Sequence, residues 1–575
     1  MLGWLWTDAE PASSMQFSES YRAALQQTTT APGGQRPSHL PVTRLGDLPA
    51  PKTATNSYRQ RLSNRNRVQG GKFADKLGAI VEADEGAFFM RLTPQRTTDG
   101  SAKNVVTLAH DLISLTQLTK ESILNTLEGR FTSQIVDTYL GDIVLSINPF
   151  KNVGATGESI AARYMGCFES GKRTDLPPHV YALADRAHSA IARHHGQSAK
   201  SQSVLISGES GAGKTEATKI VLSFLGWVSA GSGGNAEAQR TLINRLHASN
   251  PVMEALGNGK TTRNNNSSRF GKYLQVFVMP GHGEIVGAAQ SVYLLEKPRV
   301  VQHSRGERNY HIFYELLSAA GAKALAAHQS ELGLGSDWRA HRVLCRSDGG
   351  TALIDSRAWS DELEFSKTHS GLSILGLSDE QRMVLYRVVA ALCQLGNAKL
   401  SSVGELTSCA PLLGVSSTGL WTALTESKKM MGREEVKMTL SQKEASAARE
   451  SLCMWLYTMS FEWIVGRINA SLAPTESDAK RASAIGILDI FGFEKFAINS
   501  VAQLLINFTN EALHKLFIEE VLLLEKRVYK EEGILDSEEG LDFKDNKHVA
   551  ERLEPASDPP RTQPRTRCVS DDPRP

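Results

Sequence analysis

At 575 residues the chain is longer than a single hydrophobic core sustains, so one small domain is excluded. Its 41% hydrophobic and 22% charged residues are those of ordinary globular protein, and no unusual compositional class is indicated. With 64 basic and 62 acidic side chains the net charge is only +2, so no global field draws it to nucleic acid or anionic lipid, and a charged partner must be met by local patches.

The cysteines Cys167, Cys345, Cys393, Cys409, Cys453 and Cys568 are widely spaced, without a C-x-x-C or Cys/His grouping that would hold zinc, which reads as a reducing cytosol. The start, MLGWLWTDAEP, lacks a basic region followed by an apolar stretch, and nowhere is there a run of about 18 apolar residues. No secretion signal and no transmembrane segment are expected.

Residues 1–70 are rich in Thr, Pro, Gln, Ser and Arg without an apolar period, and read as a disordered leader. From 71 to 110 the short stretches AIV and FFMRL between Gly, Asp and Pro predict a small β unit. A core begins at 111 with a helical pattern, after which DTYLGDIVLSINPF gives a strand-like run ending near Asn148-Pro149.

Val204-Leu205-Ile206 is a buried-strand signal that leads into GESGAGKT, residues 208–215, a full G-x-x-x-x-G-K-[ST] match. Gly208, Gly211 and Gly213 let the loop wrap so that its N–H groups, those of Glu209, Ser210 and Ala212 among them, and the following helix N-terminus face phosphates. Lys214 adds a charge for the β and γ phosphates, and Thr215 offers a hydroxyl to Mg2+. The expected ligand is therefore ATP or GTP with magnesium. The segment GWVSAGSGG, residues 226–234, predicts a flexible surface loop.

A P-loop does not by itself separate kinases, GTPases, motors and transporters. Two further segments bear on that choice. In NNNSSRFGK, residues 264–272, consecutive polar side chains could bond phosphate oxygens, a metal and an attacking water; alone, it would be an ordinary polar loop. In AIGILDIFGFE, residues 484–494, an apolar strand delivers Asp489 at its carboxyl end, where open α/β sheets bind ligands, and the N–H of Gly492 could reach a γ-phosphate. Between them, residues 301–480 read as mostly helical. Beyond, Ser500 and Gln503 form a capping box ahead of Leu505, Phe508, Ala512 and Leu516 at helical spacing, predicting a helix to about 525. The Pro- and charge-rich end, 535–575, reads as a disordered tail.

The combination GESGAGKT, NNNSSRFGK and DIFGFE, in that order, resembles the myosin heavy chain motor head. LPPHVYALADRA (176–187), YLLEKPRVV (293–301), ERNYHIFY (307–314) and QLLINFTNEAL (503–513) extend the likeness over about 111–533. Kinesins also use an SSR switch, but a Ser-His follows where this chain has Phe270-Gly271, and no NKxD guanine-reading motif is present. Where many myosins have a Tyr some residues later, this chain has NPFKNVGATGE, closer to the divergent myosins of apicomplexans and related protists.

The resemblance implies an α/β fold: a P-loop NTPase core with a mostly parallel or mixed sheet flanked by helices (111–300, with switch I), a helical upper actin-binding subdomain (301–480), and a switch II strand with relay helix (481–534). It implies ATP and Mg2+ as ligands, with Thr215, Ser268 and Asp489 at the metal, Asn264, Ser267 and Gly492 near the γ-phosphate, Arg269 bridging to Glu494, and Asn148 and Pro149 beside adenine. A purely structural Arg269–Glu494 pair is the alternative. KKMMGREEVK, residues 428–437, resembles the upper actin-binding loop, with solvated surface as the plainer reading. The implied activity is an actin-activated ATPase coupled to movement on filamentous actin, in a cytoplasmic, cytoskeleton-associated myosin complex. Light chains are expected of a full-length form, but no site for them is recognisable here. Converter and lever are not recognisable after residue 534 either, so the expected alternative is a nucleotide-binding, non-motile fragment or regulatory protein.

Overall fold

The computed structural model describes residues 109–171, 175–193, 199–231, 236–335, 337–345, 359–431, 434–495, 499–519 and 523–533, with 546, 548 and 549. The expected leader, all but the last two residues of the expected β unit, and nearly all of the expected tail lie outside the described residues. The described residues divide into two compact units, one ending at Glu494 and one beginning at Lys495. The range expected to hold strand and relay helix together, 481–534, is thus shared between the two units.

The first unit opens with α1 (Lys120–Thr132), started by a capping box between Thr119 and Ser122. The apolar run that follows is not one strand. It folds back at Gly141, whose φ of 58° suits a tight turn, into the antiparallel pair β1 (Asp137–Leu140) and β2 (Ile143–Ser146). α2 (Val180–Ala192) packs on α3 (Lys214–Ala230), with Tyr181 stacked on Phe224 at 5.2 Å between ring centres.

The main sheet is four-stranded in the order β3 (Gln202–Ile206), β10 (Ser483–Asp489), β6 (Gly271–Val278), β7 (Ile285–Tyr293). β3 and β10 run parallel, whereas β6 is antiparallel to β10 and β7 to β6, so the sheet is mixed. Val276, Val278, Ile485 and Ile487 are fully buried and continue into the core with Phe224 and Leu225 of α3. Because Asp489 is opposite Ile206 in the parallel register, the loops after β3 and β10 leave the sheet side by side at the same end. That placement builds the site.

Expectation and structure differ after the P-loop. α3 continues through Ala230, so the first five residues of the expected 226–234 loop are helical, and 232–235 lie outside the described residues. The small residues serve packing: a Cβ on Gly226 would stand 3.1 Å from Ile243 of α4 (Ala236–Gly257), and the buried Ser229 Oγ accepts from Ile285 N at 2.9 Å. Two short strands follow, β4 (Asn258–Gly259) and β5 (Ser267–Ser268), antiparallel to one another.

Residues 301–480 are largely helical, with α5 (Asp361–Ile374), α6 (Asp379–Asn397) and the 31-residue α7 (Gln442–Leu472), capped by Ser441 and Glu444. Tyr457 of α7 donates its hydroxyl to Leu256 O at 2.6 Å and stacks on Tyr310, joining this part to the end of α4. The segment 428–437 belongs to an antiparallel hairpin, β8 (Glu426–Met431) and β9 (Glu434–Thr439). In the second unit, α8 (Val501–Phe517) starts at the Ser500–Gln503 capping box. The helix is α-helical through Phe517 and π-helical at 518–519, residues 520–522 lie outside the described residues, and α9 (Leu523–Glu531) follows. Gln503 and Ile506 are its buried residues, whereas Ala512 of the expected apolar row is exposed. No helix among the described residues is long and apolar enough to cross a membrane.

Candidate nucleotide site

The loop between β3 and α3 wraps as its glycines permit: Gly208, Gly211 and Gly213 have φ of 155°, 86° and 97°, which side chains other than glycine rarely adopt. Gly213 is the N-cap of α3, and no side chain occupies the cap, so the helix N-terminus is left to a ligand. Lys214 donates to the carbonyls of Gly208 at 2.7 Å and Glu209 at 2.8 Å. Burial pushes its ammonium down to about 8, opposed by Asp489, Glu209 and Glu494. Asn148 Nδ2 donates to Gly211 O at 2.7 Å, which ties the Asn148-Pro149 turn to the loop. Phe150, next in line, has a φ of 51° and is 84% exposed.

Two segments close on this loop. From one side comes the 264–269 stretch. Asn264 stands 3.8 Å from where a Cβ of Gly211 would lie, and Ser267 Oγ is 3.2 Å from Ser210 Oγ. Ser268 follows in β5, opposite Asn258. From the other side come Asp489, which accepts from Thr215 Oγ1 at 3.0 Å, and Gly492. A Cβ at Gly492 would be 2.3 Å from Ser210 N and 2.7 Å from Gly208 O, so only glycine fits against the loop.

The two closing segments are joined. Arg269 donates through Nη1 and Nη2 to both carboxylate oxygens of Glu494, the second at 3.1 Å, and the two side chains are 0% and 2% exposed. Nη1 also reaches Ser267 Oγ at 3.3 Å, and Nε donates to Glu296 Oε2 at 2.7 Å. Glu296 in turn accepts from Arg299 Nε at 2.6 Å, and Arg299 pairs with Glu307 at 2.9 Å. Burial opposes ionisation of Glu296, yet Arg299 and Arg269 together hold its carboxyl down to about 2. Glu296 lies in the quoted YLLEKPRVV stretch, but nothing local in the sequence marks it as the second carboxylate on Arg269.

The cradle suits a polyphosphate with magnesium. Thr215 and Asp489, hydrogen-bonded to one another, offer a hydroxyl and a carboxylate, and Ser268 would add a second hydroxyl, the hard oxygen set that magnesium takes when phosphates supply the rest. Wrapped glycines, an uncapped helix N-terminus and a half-buried lysine face the anion. The fold and the site thus define a P-loop nucleotide-binding protein with two segments closing on its phosphate loop.

The sequence pattern of the myosin head (motor domain) family matches residues 109–559. The chain belongs to that family. It is 38% identical over 444 residues to Myosin-1 of Malassezia globosa, covering 74% of this chain and 32% of that protein. It is 36% identical over 438 residues to unconventional myosin-Ia of Mus musculus (74% and 40%), and 35% identical over 495 residues to unconventional myosin-Vc of Homo sapiens (84% and 27%). The chain therefore spans between about a quarter and two fifths of the length of these relatives.

Proposed function

We propose that this chain is the nucleotide-hydrolysing part of a cytoskeleton-associated motor, binding ATP with magnesium and linking its hydrolysis to affinity for filamentous actin. One observation carries the reading: a buried two-pronged ion pair, Arg269–Glu494, joins the segments that close on the P-loop from opposite sides. A pocket that only stored nucleotide would need the loop and the lysine, not a lock between its two walls.

The chain's own residues do the work by position and charge. Loop amides and Lys214 hold the β and γ phosphates. Thr215 and Ser268, with Asp489 behind Thr215, present oxygens to the metal, which when bound neutralises phosphate charge. Asn264 and Ser267 on one wall and the Gly492 N–H on the other read the γ-phosphate. With Arg269 and Glu494 locked, a water between the walls is shut off from bulk and held for in-line attack, giving ADP and inorganic phosphate without a covalent enzyme intermediate. Loss of the γ-phosphate removes what both walls read, which favours opening. Asn148 and Pro149 are assigned to the adenine side, through the Asn148 bond to Gly211.

Support for actin contact comes from the β8–β9 hairpin. Lys428 and Lys437 are paired in register and both exposed, and Met438 beside them is 48% exposed.

The test is a rapid-quench single turnover of magnesium ATP. Cleavage by the parent, absent in Lys214→Ala because that variant no longer retains nucleotide, is expected. Equal cleavage by both proteins would remove the P-loop assignment.

A further inference from the structure

Behind the wall formed by residues 264–269 is a polar hub that touches neither of the two prongs of the Arg269–Glu494 lock. Asn266 Nδ2 donates to Glu254 Oε2 at 3.0 Å, and Asn266 Oδ1 accepts from Asn258 Nδ2 at 2.8 Å. The same Oδ1 lies 3.2 Å from His311 Nε2. An ionised carboxylate can only accept, so Asn266 must turn its nitrogen to Glu254 and its oxygen to His311, which makes His311 Nε2 a donor; burial, with Arg308 and Arg299 nearby, holds the ring's pKa well below its usual value and the ring neutral. His311 is fully buried and stacked on Trp359 at 4.4 Å.

The hub extends in two directions. Glu254, on α4, pairs with Lys219 Nζ at 2.9 Å, and Lys219 is on α3, little more than one turn after Lys214 and Thr215. Toward the phosphates, Asn266 N donates to Asn264 Oδ1 at 3.0 Å and Asn266 O accepts from Asn264 Nδ2 at 3.2 Å. A continuous row, Lys219, Glu254, Asn266, Asn264, therefore runs from the P-loop helix back to the residue over Gly211, with His311 bracing its middle.

We propose that Glu254 and His311 are positioning residues that set the distance between the 264–269 wall and the P-loop. They do so by fixing Asn266, and through it Asn264 and Ser267, while Lys219 references that distance to the helix that holds the phosphates. The inference rests on the reading of this wall as the γ-phosphate sensor. Such a row matters because a displacement of about 1 Å at a reacting centre can cost on the order of 100-fold in rate.

The experiment follows release of a fluorescent ADP, as its magnesium complex, on chasing with unlabelled ADP, with and without beryllium fluoride as the γ-phosphate mimic. The parent is expected to retain ADP much longer with the fluoride. Glu254→Ala and His311→Phe should shorten that trapped lifetime about 10-fold or more, with release of ADP alone changed less than about 2-fold, because only the sensed state needs the wall in place. His311→Gln, which keeps an N–H donor, should restore most of the lifetime, and it carries the test should Glu254→Ala fail to fold. Equal trapping by parent and variants, or a parallel loss of ADP with and without fluoride, overturns the inference. A parent that does not bind the fluorescent ADP overturns the nucleotide-site reading itself, and the inference with it.

Discussion

Arg269 bonds to Glu494, Glu296 and Ser267, and its side chain has no exposed surface. The charges along this line alternate, Glu494, Arg269, Glu296, Arg299, Glu307, so each buried ion has opposite neighbours that offset its desolvation. Replacing Glu494 with alanine leaves Arg269 paired with Glu296, and the fold should survive. Glu494→Ala is expected to bind nucleotide within a few-fold of the parent and to lose about 100-fold or more in hydrolysis, read as bound-phosphate formation in a single turnover. Undiminished hydrolysis would leave the pair a structural one.

Glu296 gives a separate, acid-side signature. Its folded pKa is depressed, so its stabilising effect is present above the ordinary glutamate range and is lost as pH falls from there toward about 2. Denaturant unfolding between pH 6 and pH 3 should show the parent losing more stability than Glu296→Gln, by on the order of 1 to 3 kcal/mol. Parallel pH profiles would show that Glu296 carries no such linkage. The sequence exposed Arg269 and Glu494 because each sits in a compact motif. Glu296 and Glu254 were not legible: their partners lie across 27 and 12 residues, and one sequence carries no sign of such pairings.

At the scale of elements, what could be read was what is local. The strand before the P-loop, the helix behind it and the Ser500–Gln503 start of α8 each follow from a few adjacent residues. The far end of α3 did not, because GWVSAGSGG has loop composition while its glycine is there for close approach to Ile243. Gly226→Val should therefore push α3 from α4 and lower stability by about 1 to 3 kcal/mol, measured by urea unfolding. A variant as stable as the parent would show that the contact yields freely. For the same local reason Ser500→Ala should cost about 1 kcal/mol, through the lost bond to Ala502 N at 3.2 Å, seen as earlier hydrogen exchange at the start of α8. Unchanged protection there would argue against the cap.

For the whole molecule, two parallel strands matter most. β3 and β10 are 277 residues apart from end to start, yet their registered pairing brings the phosphate loop and the Asp489–Glu494 segment to one edge. That long-range pairing is what brings three separate motifs to one pocket; the sequence did not disclose it, and the likeness to a known family implied only a mostly parallel or mixed sheet with the motifs at one site. The mixed sheet and the helical 301–480 region agree with the myosin head assignment. The direct measurement of the central claim is steady-state hydrolysis of magnesium ATP by the purified chain, with and without actin filaments, and with Lys214→Ala alongside. The account predicts turnover that actin accelerates and that Lys214→Ala abolishes. Turnover indifferent to Lys214, or nucleotide bound tightly and never cleaved in either condition, would contradict it.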